Sequence, residues 1–414
     1  MENTISVRPV QSDSLGTILV PMLALAIFIN YIDRGSLAIT APLIRDQLHF
    51  SSTQIGILLS SFFWTYVPAQ ILAGWLSERI SPCRILGLGL ALWSAATISL
   101  GFVTEFTGFL LLRILLGIGE SVAFPCSSKL LAFHVEPGQL GKANGLISTA
   151  MGLGPAFGTM VGGLVLVHFG WSQVFVLFGS ISLLWLLPWR HVSGVVAAQA
   201  LMKPKLASPP LLQVARCRDL WGAVLGHFCM NYAFYFILSW LPLYLIKGRG
   251  LSIEAMAQTG GIVFMVFAAS GFVTGMVTDR LIQGGLSINR VRKTFVVSAH
   301  ALIALCLVLT GVGSVTMALG SLLVAGVALG MGMPNVYAIG QTLAGPRAGG
   351  KWMGIQNSLA NCAGIIAPVV TGTIADRTGN YALAFYIAAG VVLTGMVGWG
   401  LVVRKVETTD WNLS

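Results

Sequence analysis

Four ionisable side chains lie inside apolar runs of membrane length, all in the first third of the chain: Asp33 and Arg34 in one run, Arg113 and Glu120 in another. An ionisable group near a bilayer midplane costs roughly 2.5–3.5 kcal/mol on insertion scales, so it is seldom kept without a task. Two acids and two bases on separate helices can share a proton and an anion between them. The chemistry this predicts is proton-linked movement of an anion.

Arg113 and Glu120 are seven residues apart, which on a helix returns to nearly the same face about 10 Å along the axis. Arg113 offers a planar fork that suits a carboxylate and does not lose its proton. A desolvated carboxyl such as Glu120 can carry a coupling proton; a structural ion pair between helices is the plainer use of the same residues. Asp33 and Arg34 are adjacent and point about 100° apart, so they do not face one partner. One arrangement has Arg34 facing a cavity and Asp33 facing a neighbouring helix, such as the one carrying Arg113. Tyr66 and Ser121 are candidate hydroxyl contacts in the same half. The second half reads as free of acids and bases within its spans, apart from His227 and His300, which are expected as packed neutral residues. Its polar groups are amides and phenols: Asn231 with Tyr235, Asn335 beside Tyr337, and Asn357 with Asn361. The pairs 231/235 and 357/361 each share a helix face. The first half would then grip charge and proton while the second reads hydroxyls; amide bonds between helices are the alternative.

These residues must be positioned by membrane helices. Of the 414 residues, 56% are hydrophobic and only 9% charged, which excludes an ordinary soluble chain. Twelve stretches are long enough for a hydrocarbon core of about 30 Å: 18–40, 52–77, 85–104, 107–128, 143–167, 172–189, 220–246, 255–278, 294–313, 315–340, 352–374 and 380–403. The net charge of +10 is a topology signal rather than a polyanion site. Most of the Lys and Arg residues, including Arg8, Arg84, Lys129, Lys142, Lys203, Lys205, Arg290, Arg292 and Lys293, are assigned to the termini and loops of one side; Arg45, Lys247, Arg249 and Arg377 lie opposite. By the positive-inside rule both termini are expected in the cytoplasm. No nucleic-acid partner, metal site or cofactor is expected, and no cleaved leader. The six cysteines and six histidines show no ligand spacing.

The longest polar break, Arg190 to Asp219, contains Lys203, Pro204, Lys205, Pro209 and Pro210 and leaves six spans on either side. Segments match across it. Gly74-x-x-x-Glu78-Arg79, ending span two, pairs with Gly275-x-x-x-Asp279-Arg280, ending span eight. Gly163 and Gly170 pair with Gly372 and Gly379, and Pro155 with Pro368. A duplicated six-helix unit follows, with a site between halves that rock to give alternating access. Gly74, Glu78, Arg79, Asp279 and Arg280 are candidate gating residues. The expected units are residues 1–190, a cytoplasmic linker 191–219, and residues 220–414.

Over essentially its full length the chain resembles the major facilitator superfamily, through the twelve spans, central break and repeated loop motif. Within it, Asn30-Tyr31-Ile32-Asp33-Arg34, Phe62-Phe63-Trp64-Thr65-Tyr66 and Arg113-(x6)-Glu120-Ser121-(x2)-Phe124-Pro125 resemble the anion:cation symporter family, which includes bacterial carriers for galactonate and hexuronates and vesicular carriers for glutamate and sialic acid. Ser81-Pro82-Cys83 departs from the first loop motif, where a glycine is usual. The resemblance implies that Asp33 and Glu120 form the protonatable pair, that an arginine binds the substrate anion, and that Asn357 sits where sugar-acid carriers place an asparagine. The expectation is an all-α, non-enzymatic carrier in a bacterial inner membrane, acting as a monomer and importing a sugar acid (aldonate, hexuronate or aldarate) with protons. The glycine-lined, proline-kinked fifth span resembles an exchanger motif and keeps a proton-linked exchanger or efflux carrier open. A non-transporting anion sensor is the remaining reading.

Overall fold

A computed structural model of the chain describes residues 12–50, 52–202, 207–245, 249–250, 253–378 and 381–411. Arg8, Lys203, Pro204, Lys205, Lys247 and Gly379 lie outside the described residues. Among the described residues there are helices and no strands. In lipid, every backbone N–H and C=O needs a partner inside its own segment, and an apolar run meets that demand by coiling.

The helices are α1 (Ser12–Leu48), α2 (Ser52–Ser77), α3 (Pro82–Leu100), α4 (Phe106–Glu120), α5 (Ala123–His134), α6 (Leu140–Phe169), α7 (Trp171–Leu184), α8 (Leu186–Met202), α9 (Leu211–Arg216), α10 (Arg218–Leu243), α11 (Ile253–Gln283), α12 (Ile288–Val312), α13 (Val315–Asn361), α14 (Ala363–Thr378) and α15 (Tyr381–Val397). Helices α4 and α5 together make span four, α7 and α8 span six, and α10 span seven. Among the described residues eleven stretches are long and apolar enough to cross a membrane, and one of them, Val315–Thr371, runs for 57 residues. It bends at Gly345, whose φ of 59° is left-handed and costs a side-chain-bearing residue about 1–2 kcal/mol. Pro346 then supplies no N–H to the preceding turn. The stretch therefore crosses twice, as spans ten and eleven, and the crossings number twelve.

Spans two and eleven, five and eight, and four and ten pack against one another across the two halves. Leu88 in span three, Leu187 in span six, Leu305 in span nine and Leu401 in span twelve are exposed, as lipid-facing positions of peripheral helices must be. The linker is less of a loop than its prolines suggest. Span six continues helically to Met202, and α9 forms beyond Pro210. The tail after span twelve lies back over the kink: Trp411 donates to Ala344 O at 3.0 Å, Thr409 N to Leu343 O at 3.0 Å, and Gln213 of α9 reaches Trp411 O at 2.8 Å.

At the face carrying Arg79, Arg84, Lys129 and Lys142, here called the basic face, the halves touch backbone to backbone. A Cβ on Gly275 would run into the Gly141 carbonyl and Gly145. Overpacking of this kind costs about 1–3 kcal/mol. Gly275→Val is therefore expected to open the basic face about tenfold more often. The check is the alkylation rate of a cysteine placed at Ser128, in a background without the native cysteines; an unchanged rate would mean that this seam does not govern closure.

Candidate functional site

Span one is a continuous helix, so Asn30 and Arg34 lie one turn apart on one face. Arg34 NH2 donates to Asn30 Oδ1 at 3.0 Å. The same guanidinium reaches span four, with Nε and NH2 donating to Glu120 Oε2 at 3.1 and 2.9 Å. Aromatic rings surround it: Tyr31, Phe62 and Tyr66 have centroids 4.7, 4.8 and 4.6 Å from its central carbon. The hydroxyls of Tyr66 and Tyr235 also face it. Glu120 is fully buried, whereas the Arg34 side chain stays 12% exposed. The second carboxylate oxygen, Oε1, accepts no hydrogen bond from another described residue.

Local sequence explains why Glu120 is held there. Pro125 cannot donate to the carbonyl four residues back, and span four breaks between Glu120 and Ala123. Ser121, at the break, donates to Ile118 O at 2.7 Å. A side chain at Gly117 would collide with Phe62 O and Thr65, so span four presses onto span two. Thr65 then donates to Ile114 O at 2.9 Å.

Arg113 is not part of this pair. Its Nε donates to Leu58 O at 3.1 Å and its head lies 5.3 Å from the Phe62 centroid. It is buried, with NH1 unpartnered. One phenylalanine thus contacts both guanidinium groups. Asp33 turns away from both arginines, to span six, where Ser182 Oγ donates to its Oδ2 at 2.7 Å. The sequence argument offered the helix of Arg113 as its neighbour; the structure supplies span six instead.

The second-half polar residues separate into four settings. Tyr235 OH donates to Asn361 Oδ1 at 2.6 Å, Asn361 to Asn357 O at 2.7 Å, and Asn357 to Gln70 Oε1 of span two at 2.6 Å. This chain of bonds borders the Arg34 cage and joins the halves. Asn231 makes no side-chain hydrogen bond to another described residue. Asn335 lies deeper, bonding Met331 O at 3.0 Å and receiving Arg292 NH1 at 3.3 Å. Tyr337 stacks on Phe124 at 5.3 Å and meets His227 edge-on.

At the basic face, two carboxylates each cap a helix of the other half. Glu78 Oε1 accepts from Gly350 N at 2.9 Å, at the start of span eleven, and is paired with Lys129. Asp279 accepts from Gly141 N at 3.0 Å and Lys142 N at 2.6 Å, in the first turn of span five. Helix N-termini present free N–H groups and positive potential, so a carboxylate binds there favourably. Arg292 NH2 holds Asp279 at 2.7 Å, while its NH1 donates to Thr278 at 2.7 Å. This corrects two expectations: Arg292 is fully buried rather than a loop charge, and with Asp279 it places an ion pair inside the helices of the second half. Arg79 lies over Trp75 at 4.0 Å and Arg280 is exposed; neither joins a cap. Between the caps, Asn144 and Gln341 exchange hydrogen bonds of 2.7 and 3.1 Å.

Sequence reasoning missed Asn30, Gln70, Ser182, Gln341 and the capping roles of Lys129 and Arg292. The four-residue spacing to Arg34 could have found Asn30. Nothing in the sequence marks Arg292 apart from Arg290 and Lys293 beside it.

The arrangement is a buried ion pair of the first half, bordered by residues of the second, in a bundle whose halves meet at one face. The chain matches the family model of the Major Facilitator Superfamily over residues 23–355 and 288–414, and it belongs to that family of transporters; it is not an enzyme. It is 32% identical to a hexuronate transporter of Bacillus subtilis, over 92% of each chain. It is 29% identical to a probable L-galactonate transporter of Escherichia coli, over 93% of this chain and 88% of the other. In fold it is similar to a proton:xylose symporter, with a TM-score of 0.78 at 15% identity over 96% and 97% of the two chains.

Removing the charge of either cap is expected to shift the molecule toward an open basic face. Glu78→Gln and Asp279→Asn should each do so about tenfold, the scale of one charged hydrogen bond. Arg79→Ala and Arg280→Ala should leave the balance unchanged. Electron–electron distance measurements between labels on the loops after spans two and eight read the populations; equal effects from all four variants would refute the capping assignment.

Proposed function

We propose that this protein imports a small organic anion, a sugar acid, together with protons, by alternating access across a bacterial inner membrane with both termini in the cytoplasm. The observation that carries this reading is the Arg34–Glu120 pair. Glu120 occupies, on Nε and NH2 of Arg34, the fork that a substrate carboxylate would use. A proton on Glu120 removes its charge and frees that fork. The substrate carboxylate then takes the place of Glu120, and Tyr66, Tyr235 and the unengaged amide of Asn231 are placed to meet its hydroxyls. When the carboxylate leaves, Arg34 again attracts the ionised glutamate and the proton is expelled. Proton and anion are thereby bound together and released together.

Asp33 provides for a second proton, since it has no basic partner among the described residues. One proton with a monoanion moves no net charge. A second lets the membrane potential contribute about 2.3 kcal/mol per charge per 100 mV. The caps at Glu78 and Asp279 supply the other half of the cycle: they hold the basic face shut while the site loads, and they separate when it opens. The transport named for the hexuronate and L-galactonate relatives supports the substrate class, and the phenol-and-amide border of the Arg34 cage suits a polyhydroxy acid. The unit of transport in this reading is the monomer, with the halves 1–190 and 220–414 rocking about the central site and residues 191–219 joining them.

Uptake of labelled galactonate and glucuronate into proteoliposomes under an inward proton gradient tests the reading. Glu120→Gln is expected to abolish gradient-driven accumulation while substrate counterflow survives. Arg34→Lys should weaken both by about 100-fold, because an ammonium cannot offer the planar fork and charged hydrogen bonds are each worth about 1.5–3 kcal/mol. Accumulation indifferent to the gradient and to Glu120→Gln would overturn proton symport.

A further inference from the structure

Asp33 lies wholly inside the first half, among spans one, three and six. Ser182 holds a single hydroxyl proton and has two acceptors in range: Asp33 Oδ2 at 2.7 Å and the Phe178 carbonyl of its own helix at 2.9 Å. Both residues are buried. Among the described residues the other carboxyl oxygen, Oδ1, has no hydrogen bond, and neither does the indole Nε1 of Trp93, which faces the carboxyl from span three. The charged group that bears on this carboxyl is Glu120 of span four, while the adjacent Arg34 turns to Glu120 and Asn30. The titratable groups of spans two, three and five (Glu78, Arg84, Lys142 and His168) sit near their ends, and those of span six, Arg190 and His191, lie two or more turns beyond Ser182.

We propose that Ser182 is a positioning residue that satisfies Asp33 in both of its protonation states by turning one hydroxyl. With Asp33 ionised, Ser182 donates to Oδ2 and Trp93 is available to Oδ1. When Asp33 takes up a proton on Oδ2, it becomes the donor and Ser182 Oγ the acceptor. The seryl proton rotates about Cβ–Oγ to the Phe178 carbonyl. No heavy atom moves, and Asp33 Oδ2 and Ser182 Oγ keep a hydrogen bond in both states, which is what reversible loading in a desolvated site requires. Spans one and six stay packed through the change, so the proton on Asp33 acts on the Arg34–Glu120 pair through its charge rather than by displacing a helix. The inference rests on the reading that protons drive transport, but its test does not use transport.

The test is pH-difference infrared spectroscopy of the purified protein in lipid, without substrate, following the carboxylic acid C=O band lost in Asp33→Asn. In Ser182→Ala the carboxylate loses its donor; the band should move to higher frequency, and Asp33 should hold its proton about tenfold more tightly, a shift of about one pH unit at the midpoint. Ser182→Thr keeps the hydroxyl and should restore both frequency and midpoint, which separates the role from packing. The amide bands report whether each variant remains folded. An Asp33 band with the same midpoint and frequency in Ser182→Ala would overturn the proposal, as would the absence of any Asp33 band between about pH 5 and 9, the range in which a carrier of protons has to titrate. Loss of transport in Glu120→Gln bears only on the transport reading.

Discussion

Everything in this molecule is arranged around the cost of keeping charge in an apolar bundle. Stripping water from an arginine and a glutamate costs several kcal/mol per ion, and leaving one of them alone in the bundle costs about 3–5 kcal/mol. Arg34 and Glu120 meet that cost with each other, with Asn30 and with three aromatic faces. The arrangement is stable only while some anion sits on the guanidinium. In the proposed cycle that restriction links the proton to the substrate: whichever one neutralises or replaces Glu120 changes what the other meets.

The same physics recurs at the basic face in a weaker, reversible form. Glu78 and Asp279 spend their charge on backbone N–H groups at the starts of spans eleven and five. These groups belong to the opposite half, so the bonds exist only when the halves are together. Lys129 and Arg292 pair with the two carboxylates and aim them from within their own halves. The two caps are therefore alike in geometry but not identical in detail, because one backing cation comes from span four and the other from span nine.

Site and caps are joined by a short rigid element. The break in span four leaves Glu120 at the end of one helix, and the next, Ala123–His134, carries Phe124 against Tyr337, Ser128 beside Gln341 and Lys129 on Glu78. A single helix of 12 residues thus touches the margin of the central site, the seam between halves and one cap.

Much of this architecture was legible in the chain itself. The spans follow from apolar length, the internal duplication from Gly74-x-x-x-Glu78 and Gly275-x-x-x-Asp279, and the chemistry from four charges placed where charges are expensive. Helical periodicity also relates residues of one helix, so the divergence of Asp33 from Arg34 was readable. What periodicity does not contain is the rotation of one helix against another. Only packing decided that Glu120 meets Arg34 rather than Arg113, that Asp33 meets Ser182, that Asn357 meets Gln70, and that Arg292 turns inward while Arg79 and Arg280 do not. Local sequence determines which residues share a face; contacts between distant helices determine which faces meet, because they are set by the volumes and close approaches of the whole bundle.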